Sequence, residues 1–189
     1  MEVTGLSAER FLMQNSQLPN TKFSTFIDRH VLKVGEILSW IWLALMVIIS
    51  LNVVLRYGFS QGRIELEELQ WHLYSIGFLF GLSYAYVDDK HIRVDVFHER
   101  FSPQLKAWLE LYGILLFLLP FLAMIIIYSV PFITSSYSLA EVSPSPGGLP
   151  LRWIIKSSLL LGFCLLLLSA MARLSRVWSY LFIEDHHAN

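Results

Sequence analysis

The chain has 189 residues, of which 55% are hydrophobic and 15% charged, with a mean hydropathy of +0.55 and a formal net charge of −1. This apolar excess disfavours a soluble helical bundle, whose helices would each carry a polar face. The net charge gives no argument for nucleic-acid binding, and the single cysteine, Cys164, excludes an internal disulfide.

Four stretches free of charge, or nearly so, divide the chain at about residues 37–55, 69–87, 109–130 and 153–172. A helix needs about 20 apolar residues to cross the hydrocarbon core of a bilayer. All six tryptophans lie at or near the ends of these stretches, where indole rings prefer the boundary between lipid and water. We therefore predict an all-α integral membrane protein with four transmembrane helices in a membrane domain of residues 22–181.

The segment before the first span divides into two parts. Residues 1–21 are polar and without periodicity, and no cleavable signal peptide is expected there. From residue 22 an amphipathic helical stripe begins. It indicates either an interfacial helix or the first turns of a long first helix. The stripe comprises Phe23, Phe26, Ile27, Val31 and Val34.

The second span begins with acidic residues and carries two glycines. Glu67 and Glu68 lie where a helix dipole favours negative charge, although a polar contact with a partner helix is the alternative. His72 follows one turn later and is expected to form a hydrogen bond with Glu68. The alternative is that it binds haem or a metal. Gly77 and Gly81 are four residues apart, a spacing that lets two membrane helices pack closely.

The connections differ in composition. Residues 88–106 interleave charged and apolar residues, including His91, Arg93 and Asp95, and indicate an ordered interfacial segment that contacts a protein or lipid headgroups. The alternative is a solvated basic loop that follows the positive-inside rule. In the third span Pro120 predicts a kink. Residues 131–150 are rich in serine, proline and glycine and predict a loop, and residues 182–189 form a polar tail.

The basic residues predict the orientation. If the N-terminus is cytoplasmic, ten Lys and Arg residues lie on the cytoplasmic side and four on the outer side. The positive-inside rule therefore places both termini in the cytoplasm.

The motifs of several chemistries are missing from the sequence. There is no phosphate-binding glycine loop, no GxSxG, no CxxC and no HExxH. No charge lies at the centre of a span, where ion-coupled carriers usually keep one. The sequence therefore predicts no enzyme and no cofactor, and it favours a supporting subunit over a transporter core.

Several short motifs resemble one family. They are Glu67-Glu68-Leu69, Gly81, Tyr84-Ala85, the run His91-Ile92-Arg93-Val94-Asp95 and the run Ser145-Pro146-Gly147-Gly148-Leu149-Pro150. They resemble the small membrane subunit (DctQ-like) of tripartite ATP-independent periplasmic (TRAP) transporters, over roughly residues 24–181. Leu160 stands where members often have a proline, so a straighter last helix is expected.

The resemblance implies that the protein is located in the bacterial inner membrane. A large membrane subunit would move an organic acid by a sodium-driven elevator motion, and a periplasmic binding protein would deliver that solute. The small subunit would widen the static scaffold, without a substrate site of its own. Glu67, Glu68, His91, Arg93 and Asp95 would be structural or interface residues, and Gly77 and Gly81 would mark a packed face.

Two other readings remain open. A haem-binding membrane anchor would need facing histidines within the bundle, and only His72 lies in a span. A self-sufficient channel or exporter would need a buried ionisable residue, and Glu36 and Glu110 lie only at span edges.

Overall fold

The computed structural model describes residues 18–88 and 101–183, and the regular elements in these ranges are all helical. The prediction of an all-α protein is confirmed. The helices are α1 (Lys22–Gly58), α2 (Ile64–Val87), α3 (Pro103–Tyr112), α4 (Leu119–Ser138) and α5 (Arg152–Phe182). A π-helical segment, Gly113–Leu118, joins α3 to α4 without a break.

The helices run alternately up and down. Gly35 meets Tyr84 and Trp42 meets Gly77, so α1 and α2 are antiparallel. α5 is likewise antiparallel to the α3–α4 helix. We call the end that holds the starts of α1 and α3 and the end of α5 the terminal end. The opposite end, which holds the 59–63 connection and the 139–151 loop, is the loop end.

α5 is the central helix, because it contacts each of the other helices. In one buried cluster Leu122 of α4 packs against Leu166 and Ala170 of α5. In another, nearer the terminal end, Ala107 and Leu111 of α3 pack against Val177. Every other helix is therefore positioned by its contact with α5.

Within the described residues, three helices are long and apolar enough to cross a membrane: α1, the continuous helix Pro103–Ser138 and α5. α2 covers the predicted span at 69–87 but does not join this group. Polar residues such as Gln70, His72 and Ser75 reduce its hydropathy.

The ends of the helices follow from local chemistry. Thr21 and Ser24 form a capping box at the start of α1, and the Ser102 side chain accepts the Leu105 N–H at the start of α3. Pro120 lies two residues after the end of the π-helical segment. A widened turn before proline accommodates the missing backbone hydrogen bond. The prediction of a loop from residue 131 is wrong for residues 131–138, because the helix continues through Pro131 to Ser138.

The amphipathic stripe at 22–36 proves to be the first turns of α1. Its orientation differs from that of a soluble helix. Phe23 and Phe26 are exposed, whereas Ser24, Asp28 and Val31 are buried against the bundle. A membrane or a partner can cover exposed aromatic side chains, so the polar residues of this segment pack inward.

Candidate functional site

Glu68 binds the 139–151 loop at the loop end. One carboxylate oxygen accepts a hydrogen bond from the Ser143 hydroxyl, and the other accepts the Leu149 backbone N–H at 2.6 Å. The Ser143 hydroxyl oxygen in turn accepts the Ser145 N–H at 3.2 Å. The carboxylate therefore holds two points of the loop that are six residues apart.

Glycine is required where the loop passes over this carboxylate. A Cβ at Gly148 would lie 2.8 Å from Glu68 Oε1 and would also collide with Ser143. The neighbouring Gly147 has φ +79°, a left-handed conformation that glycine adopts readily. The pair Gly147-Gly148 therefore lets the backbone approach the carboxylate closely.

Backbone hydrogen bonds close the loop upon itself. The Ser143 N–H donates to the Leu149 carbonyl and the Arg152 N–H donates to the Glu141 carbonyl, each at 3.3 Å. The Glu141 side chain forms an ion pair with Lys156, whose ammonium lies 4.1 Å from the centre of the Phe132 ring. The loop is thus ordered by contacts with α2, α4 and α5.

These contacts perturb two carboxylates. The hydrogen bond from Ser143, followed by that from Leu149, holds the pKa of Glu68 below its ordinary value. The hydrogen bond from Lys156 similarly lowers the pKa of Glu141. Both groups are therefore charged at neutral pH.

Glu67 has a different environment from Glu68. It forms an ion pair with Arg56 at 3.2 Å, and both side chains are largely exposed. Surface pairs of this kind contribute little to stability. The structure thus brings Glu68 into an intramolecular contact and leaves Glu67 at the surface.

A second polar cluster lies at the terminal end. Arg176 of α5 and Asp28 of α1 form a buried ion pair. Arg173, one turn earlier, binds Glu110 through Nε at 2.5 Å and through a terminal nitrogen at 3.3 Å. Sequence reasoning missed both pairs, because helical periodicity does not reveal which charges on distant helices will meet.

A small cleft lies beside the buried pair. It is lined by Asp28, Tyr86, Val87, Ser169, Arg173 and Arg176, and its volume is about 10 Å³. Small-molecule sites usually occupy roughly 300–1,000 Å³. The cleft is therefore small for an organic solute.

The two glycines of α2, Gly77 and Gly81, differ in how closely other helices pack against them. Gly77 packs against α1, where a Cβ would lie 3.2 Å from the Trp42 ring. At Gly81 the described part of the chain places no atom within 4 Å of a Cβ, apart from the helix's own neighbouring backbone. Gly35 and Gly162, which sequence analysis did not single out, pack tightly against Tyr84 and Leu79.

The remaining sequence candidates are His72 and three residues of the 88–106 connection. His72 is half-buried on α2, one turn after Glu68. Within residues 18–88 and 101–183, no group of three His, Cys, Asp or Glu side chains could hold a metal ion. The sequence candidates His91, Arg93 and Asp95 lie outside the described residues.

Comparison with protein families decides the identity. A family model described as "Tripartite ATP-independent periplasmic transporters, DctQ component" matches residues 45–179. The chain belongs to this family. The match spans the end of α1, all of α2, the 139–151 loop and most of α5, and thus includes both Glu68 and Arg176. A search of the curated proteins found no match.

Membership confirms the resemblance seen in the sequence. The DctQ component is part of a transporter and its family is not one of enzymes, in keeping with the expectation from the motifs. With its apolar helices, the protein is a multi-pass membrane protein. Because the family is a component of tripartite transporters, membership implies two kinds of partner, a large membrane subunit and a substrate-binding protein.

Proposed function

We propose that this DctQ component is the small accessory subunit that scaffolds the large, elevator-type subunit of a sodium-driven TRAP transporter for organic acids. The observation that carries the proposal is the distribution of charge in the described helices. Their paired ionic side chains lie at the two ends of the bundle, and the middle of these helices carries no Asp, Glu, Lys or Arg. Such a bundle suits a supporting role better than ion or solute conduction.

The contacts of α5 support a rigid scaffold. Lipid supplies little hydrophobic drive for one helix to join another, so packing and polar contacts must hold membrane helices together. At the terminal end α5 is bonded to α1 and α3 through Arg176 and Arg173. At the loop end the segment leading into α5 is bonded to α2 through Glu68. The helices are thus linked at both ends.

The proposal includes four membrane crossings. α1 and α3 begin at the same end, so α2 must return the chain from the loop end to the terminal end. Its 24 residues are about 36 Å long, which exceeds a hydrocarbon core of about 30 Å. Packing against α1 and α5 would shield its polar residues from lipid.

The proposed orientation follows from the basic residues. It puts the terminal end in the cytoplasm and the loop end on the periplasmic side of the bacterial inner membrane. The 139–151 loop then lies on the side from which a soluble binding protein delivers solute. Of the sequence candidates, Glu67 and Gly81 remain available for the large subunit, whereas Glu68 and Gly77 serve contacts within the chain.

Reconstituted uptake tests the proposal. Proteoliposomes would contain the large subunit with or without this chain, with the binding protein outside, an inward sodium gradient and labelled organic acids. We expect uptake only when both membrane subunits are present and sodium is supplied. A control with potassium in place of sodium isolates the coupling ion.

The same experiment can contradict each part of the proposed function separately. Normal uptake without this chain would refute the accessory role. Uptake that persists in potassium would refute sodium coupling. Transport by this chain alone would overturn the scaffold proposal.

A further inference from the structure

We propose that Glu68 is a positioning residue of the transporter, whose carboxylate fixes the 139–151 loop in one conformation for the step in which solute is delivered at the loop end. The inference rests on the proposed function, since it assumes that the loop end faces the soluble component. Glu68 acts through the two hydrogen bonds that its carboxylate accepts from the loop.

The composition of the 139–151 loop does not by itself favour one ordered conformation. Between residues 143 and 150 it reads Ser-Pro-Ser-Pro-Gly-Gly-Leu-Pro, without an apolar run that could anchor it to the bundle. Proline restricts the backbone locally, but glycine admits many conformations. The fold of this segment must therefore come from contacts with other parts of the chain.

Glu68 supplies such contacts from outside the loop. Its two oxygens accept hydrogen bonds from Ser143 and Leu149, at either side of the glycine pair. Hydrogen bonds to an ionised carboxylate are about twice as strong as those between neutral groups. Gly148 also lies against the carboxylate, so the shape of the loop matches this side chain.

The loop holds a strained residue that needs this support. Leu151, the last residue before α5, has φ +61°, a left-handed conformation that is uncommon for a bulky residue. Such conformations persist only where surrounding contacts impose them. Releasing Leu149, two residues earlier, removes one of those contacts.

The neighbouring carboxylate provides a matched control. Glu67 is on the same helical turn and carries the same charge, but its partner is the exposed Arg56. Glu67→Ala therefore removes one negative charge from the loop end without touching the loop. Any effect specific to Glu68→Ala must arise from the loop contacts.

The first measurement concerns loop order. The complex with the large subunit would be purified in nanodiscs, and hydrogen exchange followed in peptides covering residues 139–151. We expect Glu68→Ala to speed exchange at Leu149 by about tenfold or more, equivalent to about 1.4 kcal/mol. Ser143→Ala breaks the same contact from the loop side and should raise exchange to a smaller extent. Glu67→Ala should leave exchange unchanged.

The second measurement is uptake as a function of the concentration of soluble binding protein. We expect Glu68→Ala to raise the half-saturating concentration about tenfold and to leave the maximal rate within about twofold, because the elevator is untouched. Glu68→Gln retains one acceptor oxygen and should fall between wild type and Glu68→Ala. A merely structural defect would instead lower the maximal rate.

The outcomes separate this inference from the proposed function. Faster exchange with an unchanged half-saturating concentration would overturn the positioning role, although uptake would still require this chain. Unchanged exchange in both Glu68→Ala and Ser143→Ala would overturn the contact itself. If wild-type uptake does not depend on this chain, the proposed function fails, whatever the loop does.

Discussion

The buried ion pair of Asp28 and Arg176 leads to a prediction about stability. Their side chains are only 5% and 6% exposed. Asp28→Ala would leave the Arg176 guanidinium in a buried site without its carboxylate partner. Breaking a buried pair in this way costs about 3–5 kcal/mol, since the remaining charge is unpaired and poorly hydrated. For a chain of this size we expect the apparent Tm to fall by about 10 °C.

Tryptophan fluorescence of the purified protein in detergent measures this change during heating. The matched control is Glu67→Ala, which breaks an ion pair whose side chains are 59% and 43% exposed. Exposed pairs contribute less than about 1 kcal/mol, so its Tm should shift by about 3 °C or less. The double variant Asp28→Leu/Arg176→Met removes both charges and should recover most of the lost stability.

The reasoning is refuted if Asp28→Ala and Glu67→Ala lower the Tm equally. It is also refuted if the double variant is less stable than Asp28→Ala, because the unpaired charge would then not be the cause of the loss.

Two further predictions concern α2. Gly77→Leu should lower stability by about 1–3 kcal/mol because its side chain would collide with Trp42, whereas Gly81→Leu should leave the isolated subunit unchanged. Co-purification with the large subunit would then show whether a partner helix packs at Gly81: loss of binding by Gly81→Leu alone supports it, and normal binding indicates lipid there. The lowered pKa of Glu68 predicts acid sensitivity of the 139–151 loop. The loop's protection from exchange should hold above the ordinary value of 4.5 and decline as pH falls below it through the lowered pKa, a decline that Glu68→Gln should lack.

The helices were predictable from the sequence because each depends on local signals. Charge-free stretches of about 20 residues mark them, and features such as Ser102-Pro103 mark where one begins. The continuity of α1 from residue 22 was one of two predicted alternatives. α2 was the least clear, since its polar side chains reduce the hydropathy on which prediction of a span depends.

The polar contacts between helices were not predictable. Arg176 and Asp28 are 148 residues apart, and Leu149 and Glu68 are 81 apart. Their pairing depends on which helices become neighbours and on their rotation, which no local pattern specifies. The sequence alone therefore predicts Glu68 as a helix-dipole residue, a partner contact or a partner of His72, whereas in the structure it binds the 139–151 loop.

The positions of these contacts bear on how the bundle resists deformation. If α5 were bonded at only one end, the helix could tilt about that end. Its apolar side chains would then exchange helix neighbours for lipid, which costs little free energy. With Arg176 bonded at one end and the Glu68 contact at the other, any tilt must break a charge-assisted bond. Arg173 adds a second bond at the terminal end, to Glu110, so both carboxylate partners of α5 must be lost to release that end. A variant that lacks Asp28, Glu110 and Glu68 should therefore show a larger fall in Tm than the sum of the falls for the Asp28/Glu110 variant and the Glu68 variant.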